Sequence, residues 1–190
     1  MGPFSSPGGT YAWTNHCYCL KAVWLLNSSF APSGTDSGLL FELCTTDGIL
    51  LDFLVYHGMM SRELAQVTGM MKSELIPVTL MQPCLNQGHR LFLDNYYTSP
   101  QLVQYFFEQG TKVVGTVCPN RRNFPRELGE ADIERGQSKF TLSTCGVLAV
   151  KYRAKQDKSN RKLKVVCLLS TDHCNKVPLP PSQTKTGSQC

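Results

Sequence analysis

From residue 38 onward the apolar positions of this chain fall into short strand-like runs broken by two helical stretches. Leu39–Cys44 and Ile49–Tyr56 are apolar runs of strand length, and Thr45-Thr-Asp-Gly48 between them has hairpin-turn composition. Residues 59–73 are polar and Met-rich and read as a loop. Glu74–Gln87 carries Leu75, Ile76, Thr79, Leu80 and Leu85 at helical spacing, closed by Asn86-Gln-Gly88. Pro77 suits only the first turn of such a helix, and Pro83 should kink or end it. Arg90–Asp94 is a short strand. Ser99 is a good helix N-cap and Pro100 suits the first helical position. Leu102, Val103, Phe106 and Phe107 share one helical face, and Gly110 fits the stop. Lys112–Cys118 is a second strand, and a crossover helix of that length predicts parallel pairing with the first. One carboxylate, Asp94, therefore stands at the end of a buried strand just before a helix, where α/β sheets place their chemistry.

The flanks read differently. Pro119–Arg135 is charged and loop-like. Ser138–Leu142, Val147–Arg153 and Leu163–Leu169 are strand-like, divided by Thr144-Cys-Gly146 and Gln156–Asn160, and predict a small antiparallel β-unit. Gly, Pro, Ser and Thr dominate residues 1–37 around a short apolar patch at Tyr18–Leu26, so this stretch is expected to be a loose leader outside the fold. Residues 173–190 are rich in Pro, Ser and Thr and are expected to be disordered. The expected division is thus 1–37, an α/β core over 38–118, a basic β-rich unit over 119–172, and a tail over 173–190.

Composition narrows the function classes. No apolar run is long enough to span a membrane; Cys17–Leu26 is too short and contains Lys21. The first residues lack the basic start of a secretory signal. The net charge of +5 is unevenly spread: residues 1–111 hold 4 Lys/Arg against 8 Asp/Glu, and residues 112–176 hold 14 against 6. A basic half suits a polyanion partner, although a solvated basic surface has the same composition. The nine cysteines are odd in number, scattered and without a CxxC pair. That argues against a disulfide framework or a zinc module, and for a reducing compartment, nucleus or cytosol.

The run Leu91-Phe-Leu-Asp-Asn-Tyr-Tyr-Thr-Ser-Pro100, continuing to Gly115-Thr116, resembles the second catalytic segment of piggyBac-type transposases. Asp94, Asn95, Tyr96, Tyr97, Thr98, Ser99, Gly115 and Thr116 match that pattern. Asp52-Phe-Leu-Val-Tyr-His-Gly58 and Val166-Cys-Leu-Leu-Ser-Thr-Asp-His173 resemble two further strands of the family, and the likeness covers roughly residues 38–176. It implies a partial RNase H-like core, a mixed sheet with helices, plus an antiparallel β insertion.

The resemblance also implies a chemistry. Three carboxylates hold two divalent ions, usually Mg²⁺, which activate the attacking oxygen and stabilise the leaving one in phosphodiester transfer. Asp94 matches the second of these acids and would be both catalytic and metal-binding. The first acid should precede residue 38 and the third should follow the β-unit; neither has a match. The chain by itself is therefore expected to be catalytically inactive, with residual DNA affinity through Arg121, Arg122, Arg126, Lys139, Lys151 and Arg153. Without its partners, Asp94 is expected to serve as a turn and cap residue. Tyr96 and Tyr97 are expected to pack rather than stack on bases, and His57 and His89 to be structural or surface groups. Two alternatives remain. One is an active metal-dependent nuclease completed by a partner chain or by Asp36, Asp47, Asp52 and Asp172. The other is an interaction module without a DNA role, prone to self-association through an unpaired sheet edge and uncovered apolar faces.

Overall fold

The computed structural model describes residues 17–25, 38–57, 59–154 and 165–172. In chain order the strands are β1 (Cys17–Leu25), β2 (Gly38–Thr45), β3 (Leu50–His57), β4 (Met59–Met60), β5 (Arg90–Leu93), β6 (Lys112–Val117), β7 (Ser138–Leu142), β8 (Leu148–Arg153) and β9 (Val165–Ser170). The helices are α1 (Lys72–Met81), α2 (Pro100–Glu108) and α3 (Arg126–Glu130). All nine strands join one mixed sheet in the order β4-β3-β2-β1-β5-β6-β9-β8-β7.

The expected parallel pair forms: β5 and β6 run parallel with Arg90 opposite Lys112 and Leu93 opposite Gly115. The stretch that links them does what its sequence asks. Ser99 Oγ accepts the Leu102 amide at 3.1 Å, Pro100 opens α2, and Leu102, Val103 and Phe106 are fully buried against the sheet.

The leader expectation fails for Cys17–Leu25. This nonapeptide is an interior strand, antiparallel to β2 from Tyr18 to Leu25 and parallel to β5 from Cys17 to Cys19. Its Gly- and Ser-rich flanks argued against a strand, but strand formation is decided by neighbours on both sides more than by local composition. The unpaired edge expected there is absent, and the sheet ends instead at β4 and β7. The antiparallel unit β7–β8–β9 forms as expected. It is continuous with the core, because β9 pairs antiparallel with β6. Gln156–Asn160, residues 173–190 and most of the expected leader lie outside the described residues.

Two helical expectations are adjusted. α1 runs through Pro77, the sixth residue of the helix, and ends in a 3-10 turn at Gln82–Cys84, well before Gln87. Pro77 removes one internal hydrogen bond, and burial of Ile76, Val78, Leu80 and Met81 around it outweighs the loss. Pro83 ends the helix as anticipated. In the expected loop 119–135, α3 forms on a single buried anchor, Leu128.

The three helices lie on one face of the sheet. Core positions alternate along the strands as Phe41 and Leu43, Leu54, Leu91 and Leu93, Val113 and Val117, Ala149, and Cys167 and Leu169. Gly115 belongs to this face. A Cβ there would lie 2.5 Å from Thr98 Oγ1 and 3.1 Å from the Leu93 carbonyl oxygen. The bare strand lets the chain after β5 fold back onto β6. Gly115→Ala is expected to destabilise the protein by about 1–3 kcal/mol through this overpacking, read as a lower urea midpoint with an unchanged slope.

Candidate functional site

Asp94 follows the last residue of β5 and is exposed. Its carboxylate Oδ1 accepts the Tyr96 amide at 2.5 Å. Its main-chain oxygen accepts the Tyr97 and Thr98 amides at 3.2 and 3.1 Å and the Thr98 hydroxyl at 2.7 Å. These bonds turn the chain from strand to helix. Asp94 thus caps the turn that starts α2, the local role its sequence context suggested.

The two tyrosines behave differently. Tyr97 is buried, 1% exposed, and meets Phe41 edge-on at 6.2 Å. Its hydroxyl has no hydrogen-bond partner among the described residues. Burial pushes its phenol well above the ordinary value, and the Asp94 charge adds to the effect. Tyr96 is half-exposed and stacks on Phe41 at 6.5 Å. His89 lies buried beside Tyr18, its Nε2 3.3 Å from the phenol oxygen. The side chain of His57 lies outside the described residues.

Arg121 reaches across from the following loop. Its Nη2 donates to the Asn95 carbonyl at 3.0 Å and to that of Tyr96. It therefore clamps the backbone of the Asp94 turn. Three other basic candidates also serve backbone carbonyls. Lys151 is 8% exposed and its Nζ donates to Gly129 and Ala131, both at 2.7 Å. Arg153 Nη1 donates to Ile133 at 3.0 Å, and Lys139 Nζ to Asp132 at 3.1 Å. Lys162 and Lys164 lie outside the described residues. Arg122 and Arg126 are exposed and form no hydrogen bond or ion pair among the described residues. Arg126 and Lys139 border an open groove of about 1030 Å³ between α2, α3 and β7–β8, which Asp94 does not line. Sequence reasoning found the basic residues but not their acceptors, since a carbonyl acceptor has no residue signature. Gly115 could have been found: a lone Gly inside Val-Val-Gly-Thr-Val signals a close backbone approach.

The other acids proposed to complete a metal site are held elsewhere. Asp172 is ion-paired with Arg90 at 2.6 Å and Lys112 at 3.2 Å, at the start of β5 and β6. Asp94 is at the far end of β5, about 13 Å away along the strand. Asp52 is on β3, three strands from β5 and about 14 Å across the sheet, and is paired with Arg62 at 2.7 Å. Asp47 follows Thr45, which is level with Tyr18 and so with Leu91, and the turn therefore projects past the Arg90 end. Asp36 lies outside the described residues. None of the nine residues of β1 is acidic, and continuing the β1–β5 register places Lys21 level with Asp94. Among the described residues no three His, Cys, Asp or Glu side chains converge on a metal-sized site. The donor set around Asp94 does not fit a two-ion centre. Cys44, Cys84, Cys118 and Cys167 are free thiols. Cys145 is disulfide-bonded, where the cysteine pattern argued against a disulfide framework and for a reducing compartment.

Comparison with known proteins places the chain. A family model of the DDE transposases, described as Transposase IS4, matches residues 25–184. The chain belongs to this transposase family. The cryo-EM structure of a piggyBac transposase synaptic complex with hairpin DNA matches with a TM-score of 0.62 at 21% identity, over 84% of this chain and 33% of that one. The fold is thus that of the piggyBac type, in agreement with the Asp94–Ser99 segment, and the chain spans about a third of that transposase's length.

The orphaned Tyr97 hydroxyl gives a pH prediction. Its protonated form is favoured in the fold, so the stability it brings is complete below the unfolded value near 10 and is lost as pH rises beyond it. Tyr97→Phe should be neutral or slightly stabilising at pH 7 and should resist alkaline unfolding better than the native chain above about pH 10, as read from urea midpoints across pH.

Proposed function

We propose that this chain is a catalytically silent member of its transposase family that binds DNA weakly and without sequence preference. The observation that carries the first half is the isolation of Asp94. Two-ion phosphodiester chemistry needs several carboxylates within reach of ions about 4 Å apart. Of the described acids weighed as its partners, Asp172 stands at the other end of β5 and Asp52 three strands away. The second half is supported by the positive balance of residues 112–176 and by exposed Arg122 and Arg126. The related piggyBac structure is itself a complex with hairpin DNA. Four of the six basic candidates donate to carbonyls, so among these six Arg122 and Arg126 are the ones left for phosphate contact.

The expected result is anisotropy binding to a labelled duplex that weakens with salt at a slope of about −2 to −3, corresponding to two or three phosphates. Arg122→Ala with Arg126→Ala should flatten that slope. No binding at low salt would remove the DNA reading. Cleavage of DNA in Mg²⁺ or Mn²⁺ that disappears with Asp94→Ala would overturn the catalytic half.

Lys151 separates structural from binding cations. Lys151→Ala leaves the part-buried carbonyls of Gly129 and Ala131 without this donor and should cost about 1–3 kcal/mol in total. Arg122→Ala should leave stability within about 0.5 kcal/mol of the native chain. Equal effects on urea midpoints would contradict these assignments.

A further inference from the structure

The sheet has two edges, and they differ. β4 is two residues long, and so short an edge strand offers little to pair with. β7 runs for five residues without proline, and its one charged side chain, Lys139, already donates to the Asp132 carbonyl. The hydrogen-bonding parity of β7 is fixed at both ends. The Arg153 amide donates to the Gln137 carbonyl at 3.1 Å, and the Ser143 amide to that of Val147 at 2.9 Å. Antiparallel strands exchange bonds at every second pair, so the main-chain groups of Lys139 and Thr141 face β8. Those of Ser138, Phe140 and Leu142 then point away from the sheet, and among the described residues nothing pairs with them.

The open groove of about 1030 Å³ lies against this edge. Residues 139–143 all border it, although their side chains alternate between two faces, so the main chain of β7 is part of its wall. Leu128, Val147, Ala149 and Leu169 make the groove apolar, and its bordering charges balance, Arg126 and Lys139 against Glu108 and Glu127. On the other face of the edge, Phe140 is half-buried and Leu142 is 48% exposed.

We propose that β7 is a strand-addition site. Its occupant is an extended, uncharged peptide segment of another protein, which pairs with the edge and sets alternate aliphatic side chains into the groove. The outward row of amides and carbonyls, spaced two residues apart, matches an extended main chain. A helix keeps its main-chain bonds internal, so it cannot answer that row. The balanced charges give a polyanion no advantage, and the apolar lining selects aliphatic side chains, as does the cross-strand contact with Phe140 and Leu142. With β7 about 17 Å long, five or six residues of partner are enough.

The proposal does not rest on the DNA reading, and its test contains no DNA. The probe is a fluorescein-labelled eight-residue peptide of alternating valine and threonine, titrated into the full chain and read by anisotropy. Saturable binding is expected. N-methylation of one alternate set of peptide amides should abolish it, and methylation of the other set should be tolerated, because strand addition uses a single edge of the peptide. Leu142→Pro removes an outward amide while sparing the ladder to β8. It should weaken binding at least about tenfold with an unchanged thermal melt. Hydrogen exchange supplies a readout on the native chain: the Phe140 and Leu142 amides should exchange fast when free and slowly with peptide, and the Thr141 and Ser143 amides slowly in both. Slow exchange at Phe140 and Leu142 without peptide would show the edge already covered, by another segment of this chain or by a second copy, and would overturn the proposal. So would absence of peptide binding, equal tolerance of both methylated sets, or undiminished binding to Leu142→Pro.

Discussion

The fold turns on one close approach. A strand at the middle of the sheet has to hand over to a helix that covers the same sheet, within the few residues from Leu93 to Pro100. The Asp94 main-chain oxygen gathers three donors in that space, and the Thr98 hydroxyl among them comes to rest against β6. Any side chain at position 115 would start 2.5 Å from that hydroxyl. With β6 bare at this point, Ser99 can cap α2 and Leu102, Val103 and Phe106 can reach the core. Arg121 then secures the same turn from the next loop. Strand pairing, helix start and loop closure all pass through a contact set by the absence of one methyl group.

Four cations of the basic half, Arg121, Lys139, Lys151 and Arg153, serve as hydrogen-bond donors within the fold. The basic half suggests a positive surface when counted along the sequence. In the fold, Lys151, Arg153 and Lys139 point to the helical side and donate to the carbonyls of residues 129–133. A helix of five residues cannot sustain itself in isolation. Here it is held by one buried leucine and by cations that satisfy the carbonyls at and beyond its end. A cation that donates to a neutral carbonyl keeps its charge and its long-range field, but its donors are no longer free for direct contact with a phosphate.

The parts legible in the sequence are those whose signals are local. Ser99-Pro100 and the apolar spacing of α2 carry their meaning within a dozen residues, and the crossover between β5 and β6 follows from length alone. The Asp94–Ser99 segment was specific enough to indicate the family. What escaped was non-local. Cys17–Leu25 becomes a strand because two distant partners flank it, and nothing in its Gly- and Ser-rich surroundings announces them. Pro77 is tolerated inside α1 by burial that composition does not reveal. The clamping roles of Arg121 and Lys151 depend on carbonyls that every residue possesses.

The ladder that builds the core also limits its chemistry. Parallel pairing of β1, β5 and β6 fixes which strand ends lie together, and it separates Asp94 from Asp172 and from the turn bearing Asp47. No side-chain rotation bridges a gap of about 13 Å; the register itself would have to change, and a one-residue slip would turn every core side chain outward. The turn, meanwhile, asks little of Asp94. Three of its four hydrogen bonds go to the main-chain oxygen, and the fourth needs only a side-chain acceptor, which an amide supplies as well as a carboxylate. Folding thus requires an oxygen at this position but not a negative charge. Metal chemistry requires the charge and two more like it, and this is why the architecture of a transposase can persist where the described acids do not converge.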